Sequence, residues 1–232
     1  QNVGNGPVNI QFNPGVTNIS LPALTQVGNI IASTITIQSN GTALTTISMP
    51  ALTSVGTSIL MNNNAANAIN ATINLSSLQT VGTDITLTRT AGSVNLAALT
   101  NIGDDFTVST NSLTTLSAPA LSTVDGTIAI TTNTSLTSIS MPTTFVSSGT
   151  DALTITGNSA LATVDIGLTA TSGAVTINTN GTGVTSIDLD NLATVGTDIS
   201  MSNNAANAVS AAVDFGALTT VGDDINLPRT AG

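Results

Sequence analysis

The sequence predicts an all-β chain, residues 1–232, wound as one continuous parallel β-solenoid of about ten coils of 21–26 residues. Three observations predict it. A short phrase of alternating apolar residues recurs along the whole length, and such internal periods mark stacked architectures. The alternation has period two, as in strands with one buried face. No stretch sustains the 3.6-residue period a helix needs.

The phrase has two halves. The first is apolar-x-apolar-x-x-Asn, and it begins at Ile35, Ile59, Ile85, Phe106, Ile128, Leu153, Val175, Ile199 and Ile225. A weaker copy reads Ile10-x-Phe12. Its terminal amide recurs as Asn40, Asn64, Asn111, Asn133, Asn158, Asn180 and Asn204, with Thr90 and Thr230 in the same place elsewhere. Stacked amides donate and accept along a rod, so this column is expected to be a structural ladder that satisfies turn backbone groups. The second half is Leu-Thr-x-Ile-x-Leu-Pro-x-Leu, clearest at 44–52 and 136–142, closed by Val-Gly as in Val27-Gly28 and Val55-Gly56. Gly and Asn supply the turns between strands. Each coil hides its apolar face only against the next, so a two- or three-strand coil stacks into a solenoid.

A longer period lies above the coil. Residues 52–92 match 192–232 without a gap, at an offset of about 140, so six coils make one super-unit. Both cations of the chain, Arg89 and Arg229, fall at the same place in that unit.

Composition narrows function. The 232 residues carry 12 acids, all Asp, against two Arg, for a net charge of −10, and the chain lacks Cys, His, Lys, Trp and Tyr. A positive mean hydropathy with 41% apolar residues identifies a folding chain rather than a disordered one. Without a basic patch, nucleic acid and anionic membrane are not expected partners. No apolar run approaches the roughly 20 residues of a spanning helix, so membrane insertion is not expected. The first residues hold neither a basic nor an apolar leader segment, so a secreted form is expected to have lost its leader already.

Chemistry is sparse. Ser and Thr abound, but no His or Lys stands by as a base, so nucleophilic catalysis is not expected. The same absence of His and Cys removes the usual zinc ligands, and no phosphate loop is present. No catalytic, cofactor or metal site is expected, and the chain reads as a non-enzyme. The pairs Asp104-Asp105 and Asp223-Asp224 follow Gly at a turn and read as solvated turn residues, with weak Ca²⁺ ligation as the sharper alternative. Asp188 and Asp190, two apart, lie on one face of a strand. Glycosylation sequons occur at Asn18, Asn40, Asn70, Asn74, Asn133 and Asn180.

The combined phrase Val-Gly-x-x-Ile-x-Leu-x-x-Asn-x-x-x-Leu-Thr-x-Ile-x-Leu-Pro-x-Leu resembles the leucine-rich repeat of receptor L domains. It is similar also to repeats of fungal and microbial cell-surface proteins. The resemblance runs from about Ile10 onward and implies an extracellular right-handed β-helix serving as scaffold or recognition surface. The Cys and Trp signatures of animal receptor L domains are missing, which favours a microbial surface protein.

The leading expectation is an extracellular structural protein that self-assembles end to end and laterally into a fibre, sheath or surface layer. Its partner would be itself, with a cell-surface glycan as a second candidate. The alternative is an adhesion or glycan- or protein-binding solenoid, for which an aromatic content of 2% is low. A minor alternative is ice binding through outward Thr files, Thr36, Thr86, Thr107, Thr154 and Thr176 beside Thr88, Thr131 and Thr156. Leu60, Ala129 and Pro228 interrupt these files, and uneven coil lengths are expected to ruffle the face.

Overall fold

A computed structural model describes residues 2–4, 6–28, 33–62, 71–89, 91–147, 153–204 and 211–228. Among them no helix forms, and the strands are joined as parallel pairs throughout. The chain is the parallel β-solenoid its alternation predicts. Among the described residues ten strands stack in one unbranched sheet, beside a 13-stranded and a four-stranded one; the first and last rungs are incomplete, leaving about eight full turns, slightly below the ten expected.

Each rung has three faces. The first face is the ten-stranded sheet from Val8–Gln11 through Ile35–Gln38 and Ile59–Asn62 to Ile199–Ser202 and Ile225–Asn226. Its two inward files are large and aliphatic, for example Ile35 and Ile37, Ile128 and Ile130, Val175 and Ile177, all essentially buried. Burial of each such side chain contributes about 1.5–3 kcal/mol. The second face begins with Asn18–Ser20, Thr46–Ser48, Ala71–Asn74 and Ala91–Asn95. The third is a file of two-residue strands such as Gln26–Val27, Ser54–Val55 and Thr80–Val81.

Spacing between inward residues decides the corner between the second and third faces. Where two inward residues stand three apart, as Leu21 and Leu24 or Met49 and Leu52, period two is broken. The chain then turns, with the second N–H donating to the first carbonyl at 3.2 and 3.1 Å. In two rungs the spacing is even: Met141 to Phe145, and Ile166 to Leu168. Both ends then face inward along an extended chain. These rungs form the long strands Ser138–Ser147 and Thr163–Thr171, which fuse the second and third faces into one sheet.

The corner after the first face is set by the amide of the phrase. Asn133 and Asn158 open turns in which their carbonyls accept from Leu136 and Leu161 at 3.0 and 2.9 Å. The residue just before the amide takes left-handed φ in rung after rung: Ser39, Thr110, Thr132 and Thr179 at 55° to 59°. Side-chain-bearing residues lose roughly 1–2 kcal/mol there, and only one described rung, at Gly157, uses glycine.

One frame needs correction. Val8 and Ile10, not Ile10 and Phe12, occupy the inward files, because Val8 pairs with Ile35 and Ile10 with Ile37. Phe12 lies beyond the strand with φ 58° and is 69% exposed. The shift by two residues makes Asn13 the amide of that rung.

Coil length varies from 21 residues between Thr88 and Ser109 to 27 between Asn13 and Asn40. The first face absorbs none of this variation. Its register runs without a shift from Val8 to Asn226, so the ruffling expected from uneven coils does not occur.

Candidate functional site

The structure has three candidate centres of chemistry: the amide column inside the rod, the Asp residues at its corners, and the polar faces outside.

The amide column is internal. Asn40, Asn133, Asn158, Asn180 and Asn204 are fully buried and Asn111 nearly so. Within the run from 111 to 204 the pattern is uniform. The backbone N–H of Asn111 donates to Oδ1 of Asn133 at 2.9 Å, that of Asn133 to Asn158 at 2.9 Å, and that of Asn158 to Asn180 at 3.1 Å. Each Nδ2 donates backwards to a carbonyl of the preceding rung, as Asn133 to Val108 at 2.9 Å and Asn180 to Ile155 at 2.8 Å. Asn204 reaches Ile177 in the same way. Asn13 joins the column through Oδ1 of Asn40, its N–H at 3.2 Å and its Nδ2 at 3.0 Å. Among the described residues no buried side-chain polar atom lacks a partner. Asn64 lies outside the described residues, as does the sequon at Asn70.

This packing separates the sequons. The Nδ2 atoms of Asn40, Asn133 and Asn180 are buried and hydrogen-bonded to carbonyls one rung back. A glycan on any of them is incompatible with the packed rung. Asn18 is exposed and Asn74 half-buried, so both remain geometrically open.

The acids form two files that the sequence alone does not bring together. Asp84, Asp105 and Asp198 stand immediately before first-face strands and receive the N–H of the next rung: Asp105 to Asp84 at 3.3 Å, Thr127 to Asp105 at 2.8 Å, Asp224 to Asp198 at 3.1 Å. Asp84 also accepts the Ser58 hydroxyl at 3.1 Å. These carboxylates cap backbone donors at a corner. Carboxylate oxygens of Asp84, Asp104 and Asp105 lie within 4.8 Å of one another, yet those of Asp84 and Asp105 already serve the caps, and exposed acids cluster this way without an ion. Asp223 and Asp224 are exposed at the corner of the last rung.

The second file lies on the second face. Asp165, Asp188 and Asp214 are direct register partners in successive rungs. Asp190 sits in the adjoining turn, its N–H donating to Asp188 at 3.1 Å, so the two are not side by side on a strand as the sequence suggests. Burial, then the charges of Asp188 and Asp190, push the Asp165 carboxyl above its ordinary value of 3.8.

Thr hydroxyls at the corners add a third kind of stitch. Thr45, Thr53, Thr137 and Thr219 each donate to a carbonyl one rung back, at 2.8 to 3.0 Å. This explains the recurrent Thr of the Leu-Thr pair, a signal the sequence repeats but does not interpret.

Outside, a shallow groove of about 580 Å³ follows the third face over five rungs, with Gln26, Ser54, Thr80, Asn101 and Thr123 along it. Its floor is the Val-Gly corner. A Cβ on Gly82 would meet the carbonyl oxygen of Gly56 at 2.1 Å, and one on Gly103 that of Gly82 at 2.1 Å. These glycines exist because successive rungs touch through bare backbone, a role beyond turn formation. Comparison with family models, with curated proteins and with solved structures finds no match to this chain.

Proposed function

We propose that the chain is an extracellular structural protein whose rods join end to end into a fibre, sheath or surface layer. The repeat's likeness to leucine-rich coils of microbial cell-surface proteins supports this reading. The observation that carries it is how the rod is held: from Asn111 to Asn204 successive rungs are bonded through backbone and amide, with hydroxyls such as those of Thr137 and Thr219 as further stitches, a pattern that a rung of a second copy can extend. A head-to-tail contact between such rods that does not close on itself gives filaments. Low charge density along the rod limits repulsion between packed copies.

Negative-stain electron microscopy of the purified chain tests the reading. Unbranched filaments, or sheets of aligned rods, are expected. Dispersed rods about 43 Å long, set by ten strands at ~4.8 Å, at every concentration would overturn it.

A second reading rests on the third-face groove. One hydrogen-bonding side chain per rung, above a floor of glycine, suits an extended neutral glycan lying along the rod. Binding to a glycan array, lost on changing Asn101 and Thr80 to Ala, would favour adhesion over structure.

A further inference from the structure

We propose that the first face pairs with the first face of a second copy, rods antiparallel, about a two-fold axis that runs along the strands between Thr86 and Thr107. This adds a lateral contact to the end-on assembly and does not depend on it.

The outward residues of the first face form an uninterrupted file in which Thr36, Leu60, Thr86, Thr107, Ala129 and Thr154 occupy successive rungs. Within that run four residues are threonines of one size. One, Leu60, is larger, and one, Ala129, is smaller. They interrupt any lattice of hydroxyls, but they stand at equal distances on either side of the midpoint between Thr86 and Thr107.

An isologous contact puts residue i against residue j and j against i. About an axis at that midpoint, Thr86 meets Thr107, Leu60 meets Ala129, and Thr36 meets Thr154. The one knob of this run therefore lands on its one hole, twice per pair. An axis along the strands also keeps this outward file opposite itself, so no other register is needed.

Charge and area agree. Neither outward file of the described first face carries a charged residue, in a chain of net charge −10, so two copies approach there without repulsion. Eight facing rungs at ~4.8 Å, each about 13 Å of strand, bury roughly 500 Å² per copy and about 1,000 Å² in all. That area is at the lower bound of a specific interface, so the pair is expected to be reversible.

The test is a swap, read by sedimentation equilibrium of the full chain, with circular dichroism to verify the fold. Leu60 and Ala129 both point outward, so substitutions there leave the core untouched. The wild type is expected to dimerise reversibly. Ala129→Leu sets leucine against leucine and weakens association about tenfold or more. Leu60→Ala leaves a hole against a hole and weakens it less. The double variant L60A/A129L exchanges knob and hole and restores wild-type association.

A double variant as weak as A129L overturns the proposal, as does dimerisation indifferent to all three changes. A wild type that stays monomeric at roughly millimolar chain also overturns it, and if such a monomer adsorbs to ice through Thr86 and Thr107, the face belongs to a crystal lattice instead. Microscopy of the same samples separates this contact from end-on joining: dimers without filaments uphold the pairing and sink the end-on reading, and filaments unaffected by the swap do the reverse.

Discussion

Asn133 aims two donors at one acceptor: its backbone N–H and its Nδ2 both reach Oδ1 of Asn158 one rung away, at 2.9 and 3.1 Å. Asn158 repeats the gesture to Asn180, at 3.1 and 3.0 Å. The column is therefore directional, each amide oxygen serving the rung before it and each amide nitrogen returning to a carbonyl of that rung. All of this takes place in a buried interior, where an orphaned polar group costs about 1–3 kcal/mol.

Asn158→Ala removes the acceptor of Asn133 and the donor of Ile130 together. A loss of about 3 kcal/mol is expected, measured as the shift in urea midpoint at constant slope. Asn158→Asp keeps an acceptor but buries a charge with no cation beside it, so it should be the worse of the two. A loss under about 1 kcal/mol for both would mean the column is not what holds this corner.

Two glycines of similar appearance should differ sharply. Gly157 has φ 70° with the nearest neighbour of an added Cβ at 3.6 Å, so Gly157→Ala meets only backbone strain, about 1 kcal/mol. Gly82→Ala drives a methyl to 2.1 Å from a carbonyl oxygen and forces two rungs apart. Its cost is expected to be about 3 kcal/mol, read by thermal unfolding of the two variants side by side.

Acid should stabilise the fold through Asp165. A carboxyl whose folded value is raised binds its proton more tightly when folded, so its contribution is full below the unfolded value near 3.8. That contribution disappears as pH rises through the raised folded value. The melting temperature of wild type relative to Asp165→Asn should therefore rise as pH is lowered from 7 toward 4. A parallel pair of curves, with no pH-dependent gap between them, would remove Asp165 from the account.

Position along the rod should grade the cost of truncation. Ile130 is fully buried between two complete rungs, and Ile130→Ala is expected to cost about 2–5 kcal/mol. Ile225 is 53% exposed on the last described rung, so Ile225→Ala should cost under about 1 kcal/mol by the same accounting. Equal losses would contradict a stack whose stability is a sum over neighbouring rungs.

Period-two alternation and the repeated amide were enough, read from the chain alone, to establish strands, coils and a solenoid, because side-chain direction in a strand depends only on parity. The same local logic placed the amides from Asn111 to Asn204 in one column. What it could not supply was register. Coils differ by up to six residues, so which residue lies beside which across a rung is decided only when the inward files stack. That stacking moved the first frame from Ile10 to Val8, placed Asp188 between Asp165 and Asp214, and pressed Gly82 onto Gly56. It also kept the first face in unbroken register despite unequal loops. Burial of the aliphatic interior is the reason: it aligns strands by what they hide, and sequence distance carries no such information.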